Sequence, residues 1–119
     1  TSIIKWLGRV SDEELRMYYR NAQAFIYPSL YEGFGIPAIE AMELDCPIIV
    51  SDIPVMHEVC GDAALYVNPY SEESMAQGIK EIILNEELRE ELKNKARKQL
   101  LSYSWEKSAQ KLLSIIRNI

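Results

Sequence analysis

Apolar residues in this chain recur with two periods, and the alternation between them predicts an α/β protein. Four short apolar runs read as strands: Ile3 to Leu7, Gln23 to Tyr27, Pro47 to Val50, and Ala64 to Val67. Leu15, Tyr18, Tyr19 and Ala22 follow helical spacing and predict a helix over Asp12 to Asn21. Ser11 and Glu14 supply a capping box for it, directly after the turn Gly8-Arg9-Val10. A further helix is opened by Pro37, because proline has a helical φ and its missing N–H is one the first turn leaves unbonded anyway. Ser51 to Pro54 form a turn into a short helix, Pro54 to Cys60, and Asn68-Pro69 end the last strand.

The remaining two-fifths of the chain is helical. Ser71 caps a helix with the apolar stripe Met75, Ile79, Ile82 and Ile83, in which Ser74 is a weak third cap residue. Gly78 within it costs about 1 kcal/mol relative to alanine. Leu88, Leu92 and Ala96 mark the next helix, Glu86 to Leu101, whose alternating charges read as a solvated face. Ser104 caps a terminal helix over 104–118, with Trp105, Ala109, Leu112, Leu113 and Ile116 on one face. No repeat, linker or low-complexity segment interrupts the pattern.

The chemistry concentrates between Pro28 and Asp52. Glu32 and Glu40 bracket a glycine loop, Gly33-Phe34-Gly35, that leads from a strand into the Pro37 helix. Glycines let the backbone approach a ligand closely, and the free N–H groups and dipole of a helix start favour an anion such as phosphate. A second anion at Glu40, about one helical turn in, would repel that phosphate, so Glu40 is better suited to a neutral diol. Glu32 can reach a different hydroxylated part of the same ligand. Together they describe a site for a sugar-bearing phosphate.

The segment PSLYEGFGIPAIEA resembles the signature of the retaining nucleotide-sugar glycosyltransferases of family 4, which have the GT-B fold. Their motif sets two glutamates with seven residues between them, the spacing of Glu32 and Glu40. The flanks GRVSDEEL, PIIVSDIPVMHEV and DAALYVNPYSEESMAQGI fit as well, so the resemblance covers essentially the whole chain. It implies a Rossmann-like parallel sheet flanked by helices, with residues 1–119 forming part of the C-terminal, donor-binding domain. On this reading the chain begins in mid-domain, as its start at Thr1 rather than Met suggests. The acceptor-binding half and the basic pair that meets the donor diphosphate then lie elsewhere.

The resemblance further implies residue roles. Glu32 is the catalytic-site carboxylate, binding donor-sugar hydroxyls or the nearby phosphate. Gly33, Phe34, Gly35 and Ile36 meet the sugar and phosphate, Glu40 binds the ribose, and Gly8, Arg9 and Val10 lie near the nucleobase. An ordinary strand-to-helix turn accounts for Arg9 equally well. The family has a glycine-rich turn before the glutamate matched by Glu58, whereas Ile53-Pro54-Val55-Met56-His57 contains no glycine. His57 is the single histidine, and on composition alone reads as structural. No cofactor or metal is expected beyond the nucleoside-diphosphate sugar itself.

Composition narrows the alternatives. A length of 119 residues suffices for one domain, and 48% hydrophobic with 26% charged residues is an ordinary globular balance. The net charge of −5 argues against a nucleic-acid or anionic-membrane surface. No apolar run is long enough to span a bilayer. Cys46 and Cys60 read as buried free thiols, which fits a reducing cytoplasm, with the full-length protein either free or peripheral at the inner membrane face. The expected partners are a nucleotide-sugar donor and a saccharide or lipid-linked acceptor held by the other domain. The piece alone is expected to be inactive and to self-associate through its terminal helix. Two other classes compete. A non-catalytic sugar-nucleotide module would keep the same residues. A glycoside hydrolase would use Glu32 and Glu40 as an acid and nucleophile pair, for which a loop and its following helix are poor geometry.

Overall fold

The computed structural model describes residues 4–29, 36–102 and 113–117. The elements run α1 (Asp12–Asn21), β1 (Phe25–Tyr27), α2 (Ile36–Glu43), β2 (Ile48–Ser51), α3 (Pro54–Cys60), β3 (Ala64–Val67), α4 (Glu72–Leu84) and α5 (Glu86–Leu101). The three strands form one parallel sheet in the order β1-β2-β3. Each strand is joined to the next by a helix, the connection parallel pairing requires.

The central strand explains the layering. All four residues of β2 are buried, because helices cover both faces of the sheet. Ile48 and Val50 point into a cluster with Tyr19 of α1, Ala41 and Met42 of α2, and Met56 and Cys60 of α3. Ile49 points the other way, toward Val67, Ile82 of α4 and Leu92 of α5. α5 reaches both clusters, since Ala96 joins the first. Its far end is tied by Arg97 Nε to Asp45 Oδ1 at 3.2 Å, and by Gln99 Nε2 donating to the Val59 carbonyl at 3.0 Å.

Local chemistry sets the helix ends. The Ser11 hydroxyl accepts from the Glu14 N–H at 3.2 Å, the N-cap half of the expected capping box, and donates to the Glu14 carboxylate, which takes the hydroxyl in place of the Ser11 N–H. Asn85 ends α4 and caps α5 by accepting from the Leu88 N–H at 3.0 Å. Arg89 Nη1 donates to the carbonyls of Ile82 and Ile83 at 2.8 and 2.6 Å, so a side chain of α5 satisfies the open end of α4. Ser74 is more than a weak cap: its N–H donates to Ser71, and its own hydroxyl accepts from the Asn68 N–H at 2.9 Å.

Three expectations change. Residues 4–7 are not a strand, and Trp6 is 94% exposed. An apolar run alone cannot hold a strand, which needs a ladder partner, and the sheet of β1 to β3 gives this segment none. β1 is shorter than expected and only half-buried; among the described residues it has one neighbouring strand where β2 has two. The inward face of α4 is Met75, Gly78 and Ile82, while Ile79 and Ile83 are exposed. Gly78 is therefore not merely a weak helix former. A Cβ there would lie 2.6 Å from Val67 Cγ1, so its absence lets α4 settle against β3. Of the expected terminal helix, residues 113–117 are helical, with Leu113 and Ile116 exposed; Ser104, Trp105, Ala109 and Leu112 lie outside the described residues.

Candidate functional site

All three strands end at the same edge of the sheet, and the connections leaving that edge carry the residues of interest. In open α/β sheets this carboxyl edge is where ligands bind. β1 leads through Pro28 and Ser29 toward the glycine loop. Glu32, Gly33, Phe34 and Gly35 lie outside the described residues, and the backbone of Ile36 opens α2 just beyond them. Glu40 follows four residues later, about 6 Å along the helix axis, and is exposed.

Glu40 faces α1 across a cavity of about 280 Å³, lined among others by Asp12, Arg16, Tyr19 and Glu43. α1 is the helix that the turn Gly8-Arg9-Val10 leads into; Asp12 in its first turn lines the cavity, whereas Gly8, Arg9 and Val10 do not. Gly8 has a φ of +65°, a left-handed conformation that glycine adopts without cost. Gly8 and Arg9 are exposed and Val10 is half-buried.

Tyr19 was not foreseen as a site residue. Its ring meets Phe25 edge-on at 5.1 Å, and its hydroxyl ionises above the ordinary tyrosine range. Burial is the main cause, followed by the nearby Glu40 carboxylate and Cys46. The phenol thus remains a neutral donor at the wall of the cavity. The signal for it was its place in the inward stripe of α1, which read only as packing.

A second group occupies the neighbouring connection. Asp52 directly follows β2, and its Oδ1 lies 2.5 Å from His57 Nε2. The imidazole stacks on Tyr66 of β3 with centroids 3.9 Å apart and planes within 7°. Tyr66 is fixed in turn by donating its hydroxyl to the Gly61 carbonyl at 2.6 Å. No local pattern announces this group, because Tyr66 comes from another strand. Beside it Ser51 is buried, with its Oγ unpartnered among the described residues.

Both cysteines are buried free thiols, as expected, and burial raises each to about 11. Lys93 pulls Cys46 slightly the other way. Among the described residues no group of three or more His, Cys, Asp or Glu is arranged to hold a metal ion. No helix among them is long and apolar enough to cross a membrane.

Comparison with known proteins identifies the family and the fold. The family described as Glycosyl transferases group 1 matches residues 3–99. The chain is 54% identical over 79 residues to the O-antigen chain mannosyltransferase RfbU of Salmonella typhimurium, covering 66% of this chain and 22% of that protein. It is 37% identical over 103 residues to the O-antigen chain mannosyltransferase B of Escherichia coli, covering 87% and 27%. The chain thus spans about a quarter of the length of these relatives. Among solved structures it resembles sucrose-phosphate synthase from Thermosynechococcus elongatus, with a TM-score of 0.79, 27% identity, and coverage of 96% and 29%. The C-terminal domain of a group 1 glycosyl transferase from Francisella tularensis shares the fold, with a TM-score of 0.68, 24% identity, and coverage of 84% and 51%.

Proposed function

The chain belongs to the group 1 glycosyl transferase family, and from that membership we propose that it is the donor-binding part of a retaining, family 4 enzyme of GT-B architecture. The enzyme moves a sugar from a nucleoside diphosphate to an acceptor hydroxyl with its anomeric configuration kept. The observation that carries this reading is the place of Glu40, one turn into a helix at the carboxyl edge, facing the cavity beside α1. A carboxylate there accepts the two hydroxyls of a ribose. The neutral Tyr19 phenol adds a donor to the same wall.

In this reading Glu32 holds the donor sugar, while the amides of Gly33 to Ile36 and the dipole of α2 receive the charge that grows on the departing diphosphate. Gly8, Arg9 and Val10 flank the base. Catalysis is then positioning plus electrostatic stabilisation, with no resident metal or cofactor. The names of the relatives favour mannose as the sugar and a growing saccharide as acceptor. The acceptor is held by sequence outside this chain, so these 119 residues alone give no turnover. Two buried free thiols favour the cytoplasm, and the net charge of −5 disfavours a broad anionic-membrane surface, so any membrane contact is peripheral.

The test uses the full-length protein and a panel of UDP-, GDP- and ADP-sugars. One nucleotide series should raise the melting temperature, and with acceptor present the matching nucleoside diphosphate should be released. Stabilisation by none of them, or sugar released to water alone, overturns the reading.

A further inference from the structure

We propose that Asp52 and His57 form a second hydroxyl-binding pair at the carboxyl edge, one that reads the sugar of the donor and not its nucleotide. The inference rests on the donor-binding reading above and assigns it a specificity element. Position is the first argument. β1 and β2 are adjacent and parallel, with Tyr27 paired to Val50. The chain therefore leaves β1 toward Glu32 and leaves β2 at Asp52 on the same edge, one strand spacing apart.

Preorganisation is the second. The imidazole is fixed at Nε2 by Asp52 and on one face by Tyr66. Yet the side chains of His57 and Asp52 remain 51% and 62% exposed. Their other polar atoms, His57 Nδ1 and Asp52 Oδ2, have no partner among the described residues. Exposed ion pairs add little to stability, so maintenance of the fold gives a weak account of so ordered a pair.

Chemistry decides the ligand. A carboxylate only accepts hydrogen bonds, so Nε2 carries the proton in this contact, and in the neutral ring Nδ1 is then an acceptor. Nδ1 lies across the ring from Nε2, so the two open acceptors, Asp52 Oδ2 and the Nδ1 of the neutral ring, face different directions and suit hydroxyl donors at separate points of a ligand, which a pyranose supplies around its ring. A diphosphate offers no such donors, and the Asp52 charge repels it. The turn needs no glycine because it presents side chains to the ligand in place of backbone amides.

Isothermal titration of the full-length protein tests this with each nucleoside-diphosphate sugar of the panel and its bare diphosphate. Asp52→Asn and His57→Ala should each lose about tenfold in affinity for the sugar nucleotide that binds the wild type, and hold the bare diphosphate within about twofold. His57→Gln, which keeps an acceptor, should recover part of the loss. Equal losses for both ligands, or no loss for either, overturn the pair as a sugar reader. Asp52→Asn keeps the shape of the side chain, so its result stands even if His57→Ala loosens the turn. A wild-type protein that binds the diphosphate but gains nothing from the sugar also overturns it. One that binds neither overturns the donor-binding reading itself, and this inference with it.

Discussion

α2 and α3 begin alike and are fed by opposite chemistry. Each carries a proline in its first turn and follows a strand that ends on the same sheet edge. The connection into α2 contains Gly33 and Gly35, and in the proposed reading it is the backbone there that meets the ligand. The one into α3 has no glycine, and Ile53 there has an extended backbone with φ −132° and ψ 154°. It offers the side chains of Asp52 and His57. Backbone N–H groups suit an anion, and side-chain acceptors suit hydroxyls, so one edge can receive both halves of a sugar phosphate.

The largest expected effect on ligand binding tests the first connection. In the full-length enzyme Glu40→Gln should weaken nucleotide binding by about tenfold even without the sugar, since hydrogen bonds to a charged group contribute about 1.5–3 kcal/mol and the amide keeps only part. Glu32→Gln should hurt sugar transfer more than binding of the bare diphosphate. Titration with and without the sugar separates the two, and equal losses for both variants would end the division of labour.

The next effect compares what closes each connection: Cys46 stands just before β2 and Cys60 ends α3. Both thiols are raised to about 11 by burial. Below the ordinary thiol pKa near 9 both folded and unfolded chains keep these protons. Above it the unfolded chain ionises first, so stability should fall between pH 9 and 11, by up to about 1.4 kcal/mol per thiol per pH unit. Urea melts across that window check the slope. A thiol reagent at pH 7 should leave both cysteines unmodified until the protein unfolds, and fast labelling of one alone would show that the two closures differ. The smallest effect concerns the shared feature. Pro37→Ala and Pro54→Ala should each cost about 0.4–1 kcal/mol through added freedom of the unfolded chain, and a large difference between them in denaturant midpoints would mean the helix starts are not equivalent.

Features set by neighbours in sequence were legible. Ser11 and Glu14, Pro54, and the boundary at Glu86 mark helices whose limits the structure reproduces. Features that need a partner from elsewhere were not. The run at residues 4–7 has strand composition but no ladder. Arg89 reaching the end of α4, and His57 lying on Tyr66, depend on where other elements are placed. Glu40 was singled out through its motif and the turn at Gly8 through the resemblance of its flank, whereas Tyr19 on the cavity wall and Asp52 beside His57 carried no local sign. α4 shows the same limit: spacing suggested Ile79 and Ile83 for its buried face, but the approach to β3 selected Gly78.

That approach has a consequence for how the chain can change over generations. With only 2.6 Å between Val67 Cγ1 and a Cβ built on residue 78, the two positions are not free to vary one at a time. A methyl gained at 78 must be answered by bulk lost at 67, or the helix is pushed off the sheet. Aligned descendants should therefore record the two as a correlated pair, with alanine or larger at 78 accompanied by a smaller residue than valine at 67. Gly78→Ala and Val67→Ala, each destabilising alone, should in combination cost less than their sum.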